Sequence, residues 1–115
     1  MTRILVIESE NKARHTMRNI LEGAGYEVEL AEDGALGARL HSSHPADLVI
    51  ADTDDVEPAV QAFVGTRMLA LPNGLGIPYH VRALNTLPKP FRRDDLLSAV
   101  RTTLEMTPPP SVSRM

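Results

Sequence analysis

"DLVIADTDD", Asp47 to Asp55, is the stretch on which the reading of this chain turns. Leu48 to Ala51 form a continuous apolar run, the pattern of a strand buried on both faces, and the run ends in the carboxylates of Asp52, Asp54 and Asp55. Burying charge is costly unless something compensates it. Such carboxylates either charge the first turn of a following helix or do chemistry at a strand end. Asp54 and Asp55 suit the first role, where the helix dipole favours them. Asp52 is the candidate for the second.

Outward from this stretch, two more runs are apolar throughout: "ILVI", Ile4 to Ile7, and "MLAL", Met68 to Leu71. "YEVEL", Tyr26 to Leu30, alternates apolar with acidic residues, so it reads as a strand with one wet face, and "NTL", Asn85 to Leu87, is a brief last strand. Helical spacing fills the gaps. Ala13, Met17, Ile20, Leu21 and Ala24 make one stripe, stopped by Gly23 and Gly25. Because "GAG" there precedes a strand, it is a helix stop and not a dinucleotide loop. Ala35, Leu36 and Leu40 share a face from Asp33–Gly34 to Ser43, where "HPAD" breaks the pattern. Val56, Val60, Phe63 and Val64 form a shorter stripe with Pro58 in its first turn and Gly65 at its stop. A weak turn covers Tyr79 to Leu84, and Asp94 and Asp95 open a final helix with Leu96, Leu97, Val100 and Leu104 inward.

Strand and helix alternating in this way specify a parallel sheet with helices on both faces. The continuous runs belong in its interior, and the alternating and short strands belong at its edges. The order 2-1-3-4-5 satisfies this with right-handed crossovers and reverses direction between strands one and three. Ligands of such sheets sit at the carboxyl edge beside that reversal. Glu8, Asp52, Pro72 and Lys89 follow or end strands one, three, four and five, so two acids and a lysine meet at one mouth. A carboxylate nucleophile beside a divalent cation and a lysine can accept a phosphoryl group. Mg²⁺, a hard cation that keeps several waters, can be held by two nearby carboxylates.

Composition narrows the partners. The 115 residues suffice for one domain with a real core, and with 3 % aromatics that core is aliphatic. Having no cysteine, the chain has no disulfide framework, thiolate metal site or thiol nucleophile, which fits a reducing, cytoplasmic setting. A formal net charge of −3 without a basic block argues against nucleic acid or membrane as partner. Residues 1–106 read as the domain and 107–115 as a proline-rich disordered tail.

"ILVIESE", "GYEVELAEDG", "PADLVIAD" and "LPKPF", in this order, closely resemble the receiver domain of bacterial two-component response regulators from about Thr2 to Leu104. The resemblance implies a flavodoxin-like α/β fold and a stand-alone signalling module without turnover of its own. It makes Asp52 the acceptor of a phosphoryl group from a histidine kinase or phosphotransfer protein. Glu8 and Asp52 become Mg²⁺ ligands with Glu10 or Asp54 as further candidates, Lys89 the phosphate-stabilising cation, and Pro90 the cis proline. An unidentified downstream protein would read the signal from the 73–84 loop or the exposed side of the last helix.

Three site positions depart from the family's pattern. Ser9 stands where a second acid is usual, Pro72 where a hydroxyl residue bonds the phosphoryl group, and Thr86 where an aromatic residue moves with it. The chain is also shorter between Asp52 and Lys89, which trims the third and fourth helices. The 72–89 region resembles a subgroup of stand-alone receivers with a Gly-rich loop in place of much of the fourth helix.

Other readings compete. A receiver-shaped module could bind its partner without phosphorylation. "LVIADTDDV" also matches the D-x-D pattern of haloacid-dehalogenase-type phosphohydrolases, with Asp52 as nucleophile and Asp54 as general acid, but no acidic metal-binding strand end follows Lys89. His41 and His44 are one turn apart, a weak zinc pattern without a third ligand. Arg92 and Arg93 read as solvated.

Overall fold

The continuous apolar runs form the middle of a parallel sheet. The computed structural model describes residues 1–52, 62–72 and 85–108. Its elements are β1 (Arg3–Ile7), α1 (Asn11–Gly23), β2 (Glu27–Ala31), α2 (Gly34–Ser43), β3 (Leu48–Asp52), β4 (Arg67–Leu71), β5 (Asn85–Thr86) and α3 (Arg93–Leu104). The five strands pair in parallel in the order β2-β1-β3-β4-β5, the arrangement expected from the sequence.

Period-two alternation divides the interior strands between two cores. Ile4, Val6, Leu48, Ile50, Leu69 and Leu71 pack against Met17 and Leu21 of α1 and Leu96 and Val100 of α3. Leu5, Ile7, Val49, Ala51 and Met68 face the other way, with Phe63 and the Leu36, Ala38 and Leu40 side of α2. Every residue of β3 is buried, Asp52 included. The sheet is thus covered on both sides, and its carboxyl edge is left to carry polar groups.

Three helical expectations shift. Ala24 is exposed because it is the C-cap of α1 and lies beyond the packed stripe. Ala35 is exposed because α2 presents Gly34 and Gly37 to the sheet. A Cβ on Gly37 would come within 2.7 Å of Ile7 Cδ1 and 2.9 Å of Cγ1, so glycine allows α2 its close approach to β1. Phe63 is buried, but Val64 is 44 % exposed, since the chain turns there and Gly65 takes φ +88. Val56, Val60, Asp54, Asp55, the loop from 73 to 84 and the tail from 109 lie outside the described residues.

Asp33 caps α2 by accepting the Leu36 N–H at 2.8 Å, and Asp95 accepts the Arg92 N–H at 2.9 Å at the start of α3. His41 bridges the end of α2 to the start of β4. Its Nδ1 accepts the Ala46 N–H at 3.0 Å and its Nε2 lies 3.2 Å from Thr66 Oγ1, beside the Phe63 ring. Among the described residues no group of three or more His, Asp or Glu residues is placed to hold a metal, so the His41–His44 pair gains no third ligand. No described helix is long and apolar enough to cross a membrane.

Candidate functional site

Sheet register brings the two acids together. Ile7 is paired with Ala51 across β1 and β3, so the next residue on each strand, Glu8 and Asp52, emerges at the same edge. Lys89 arrives by extension of the β4–β5 ladder. Beyond the Ala70–Thr86 pair, the Leu87 N–H donates to Ala70 O at 2.9 Å and the Lys89 N–H to Pro72 O at 3.3 Å. Pro72, which has no side-chain hydroxyl to offer, supplies its carbonyl to the lysine's backbone. The Lys89–Pro90 peptide is cis.

Lys89 Nζ donates to Glu8 Oε1 and to Asp52 Oδ2, each at 2.8 Å. Both acids are buried, with 2 % and 4 % of their surface exposed, and the ammonium compensates charge on each of them. Burial pushes the Lys89 pKa down, but the hydrogen bonds and charges of Asp52 and Glu8 outweigh it and hold the group above its ordinary value. The other Glu8 oxygen, Oε2, accepts the Glu10 N–H at 3.1 Å. A buried strand can therefore end in the Asp52 carboxylate because Asp52 shares a cation with Glu8.

The remaining positions are arranged around this triad. Glu10 turns away from it as the N-cap of α1, accepting the N–H groups of Ala13 at 2.7 Å and Lys12 at 3.3 Å. Ser9 and Thr86 are exposed, and Asp54 lies outside the described residues. Sequence reasoning missed Arg14. Its Nη1 donates to Glu8 O at 2.8 Å and Ser9 O at 3.2 Å, and its Nη2 to Asn11 Oδ1 at 2.8 Å. The available signal was a cation in the first turns of a helix, where the dipole disfavours it.

Among the described residues, two carboxylates bound to one ammonium form an acidic cluster, with hard oxygen donors of the kind Mg²⁺ prefers. The donor set fits that ion in its sparse form, with most of the coordination left to water, because Ser9 adds no charge.

The fold and the sequence both have close counterparts. No family model matches the chain. Response regulator MprA of Mycobacterium sp. (strain KMS) is 32 % identical over 120 residues, which cover 93 % of this chain and 52 % of the relative. The protein of that name from Mycobacterium tuberculosis (strain H37Rv) is 31 % identical over 121 residues, with the same coverage. This chain spans about half the length of the curated relatives it matches. Among solved structures, chemotaxis response regulator CheY4 of Vibrio cholerae superposes with a TM-score of 0.80 at 24 % identity, covering 90 % of this chain and 98 % of that one. A putative response regulator from Chloroflexus aurantiacus gives 0.82 at 21 %, covering 91 % and 98 %. The non-phosphorylated HemR receiver domain of Leptospira biflexa gives 0.78 at 24 %, covering 95 % and 98 %. The fold is the CheY-like, flavodoxin-type arrangement. Fold and sequence similarity agree on a receiver domain of the response-regulator type.

Proposed function

We propose that this domain accepts a phosphoryl group on Asp52 from the phosphohistidine of a kinase or phosphotransfer protein and signals through protein–protein contacts. The observation that carries this reading is the Lys89 ammonium shared at 2.8 Å by the buried carboxylates of Asp52 and Glu8 at the carboxyl edge of the sheet. In the transfer, an Asp52 carboxylate oxygen attacks phosphorus and forms the O–P bond. The N–P bond of the donor breaks, and its electron pair returns to the imidazole. The chain's part is to hold the attacking oxygen in place and to set a cation beside the charge that builds on the phosphoryl oxygens. Glu8 and Asp52 would hold Mg²⁺, which when bound neutralises further charge on the phosphoryl group.

Readout departs from the usual scheme. Pro72 cannot donate a hydroxyl hydrogen bond to the new phosphoryl group, and Thr86 offers no aromatic ring to follow it. The exposed side of α3, and residues 73–84 as read from the sequence, are where an unidentified protein partner would read the signal. The neutral Ser9 and Pro72 also favour a second reading, a module that binds its partner without phosphorylation. Label transferred from an autophosphorylated histidine kinase to wild type, but not to Asp52→Asn, supports the first reading. No transfer from a panel of kinases, with partner binding intact, supports the second.

A further inference from the structure

We propose that Arg14 is a positioning residue for phosphoryl transfer, tying the β1–α1 turn so that the Glu8 carboxylate stays on Lys89. The inference rests on the reading of Asp52 as phosphoacceptor, but its geometry is independent of it. Arg14 lies in the opening turns of α1, where its own N–H donates to Glu10 O at 3.0 Å. A cation at this end of a helix opposes the dipole, so its placement needs a specific return. That return comes from outside the helix, because the planar guanidinium reaches back to the carbonyls of Glu8 and Ser9 and is itself oriented by Asn11 Oδ1.

The consequence for Glu8 follows group by group. Its N–H donates to Ala31 O at 3.0 Å, its carbonyl accepts from Arg14, its Oε2 accepts from Glu10 N–H, and its Oε1 accepts from Lys89. Arg14 and Glu10 N–H act on the same short turn. If the guanidinium is removed, the Glu8 and Ser9 carbonyls lose the donor that ties them to α1, and the Glu10 N–H that aims the carboxylate is held less firmly in place. The Lys89 ammonium then loses one of its two fixed partners, and the acceptor loses a cation held at a set distance.

The test compares Arg14→Met, Arg14→Lys and, as a control on the same helix, Arg18→Met, since Arg18 contacts the Glu22 carboxylate at 3.4 Å near the helix's far end. Two readouts are taken: the Glu10 amide shift by ¹H–¹⁵N NMR, and the rate of adduct formation on Asp52 with acetyl phosphate and Mg²⁺. Arg14→Met is expected to move the Glu10 amide and to slow the adduct about tenfold, the scale of a small misplacement of a reacting group. Arg14→Lys should recover part of both, and Arg18→Met should change neither. A Glu10 amide and an adduct rate in Arg14→Met equal to wild type would overturn the proposal. If wild type itself forms no adduct, the phosphoacceptor reading fails, and the Glu10 amide alone decides the role of Arg14. If Arg14→Met does not fold, Arg14→Lys decides: wild-type values of both readouts, despite the lost planar fork, would count against the proposal.

Discussion

Lys89 Nζ lies 2.8 Å from Asp52 Oδ2, although 37 residues of chain separate them, and the same nitrogen holds Glu8 Oε1. Among the described residues, one cation therefore serves two buried anions, which leaves their cluster one negative charge in excess. That imbalance governs how the domain should respond to substitution, to divalent metal and to phosphoryl donors.

Lys89→Met should be more harmful than either carboxylate replacement. It takes the ammonium from two buried carboxylates at once, at a cost of about 3 kcal/mol, the low end for broken buried pairs because the Lys89 side chain is itself 27 % exposed. Asp52→Asn leaves a matched Glu8–Lys89 pair and should be neutral or stabilising. The Lys89 pKa is raised above its ordinary 10.5, so its contribution is complete below that pH and is lost as the pH rises through the higher folded value. Urea unfolding of the variants at neutral and alkaline pH checks both statements. Equal midpoints for wild type and Lys89→Met at neutral pH would contradict them.

Ser9→Asp should strengthen Mg²⁺ binding, since it restores a carboxylate next to Glu8. An added carboxylate ligand is expected to improve affinity by about tenfold, on the scale of charge-assisted contacts. Titration followed through the amide shifts of Glu8 and Asp52 gives the ratio. Equal affinities would mean that another oxygen already fills that role.

His41 should make the fold acid-sensitive. Burial lowers its pKa below 6.5, and the Ala46 N–H needs an unprotonated Nδ1 as acceptor. The folded chain thus resists a proton that the unfolded chain takes up. The stability this contributes is present above pH 6.5 and is lost as the pH falls through the lower folded value. Thermal melts across this range should show a slope that His41→Gln flattens. An identical slope in both proteins would assign it to other groups.

What the sequence made legible followed from burial. Strands buried on both faces must be apolar throughout, so Ile4–Ile7, Leu48–Ala51 and Met68–Leu71 announced the sheet interior and with it the strand order. Once that order is known, register alone brings Glu8, Asp52 and Lys89 to one edge. Arg14 left only a weak mark, a cation in the opening turns of a helix, because a guanidinium that reaches backward to backbone carbonyls leaves no period in the sequence. Gly37 was not legible, since its role depends on the Ile7 side chain across a helix–sheet contact. Ala35 and Val64 misled the reading for a related reason. An apolar residue near a helix end fits a stripe on paper, but its side chain is exposed where the packed face or the helical turn has ended.

The most direct test of the central claim is the intact mass of the protein after incubation with acetyl phosphate and Mg²⁺, with Asp52→Asn alongside. The expected result is slow gain of a single phosphoryl group by wild type and none by Asp52→Asn. No gain in wild type, or an equal gain in both proteins, would contradict the assignment of Asp52 as the phosphoacceptor.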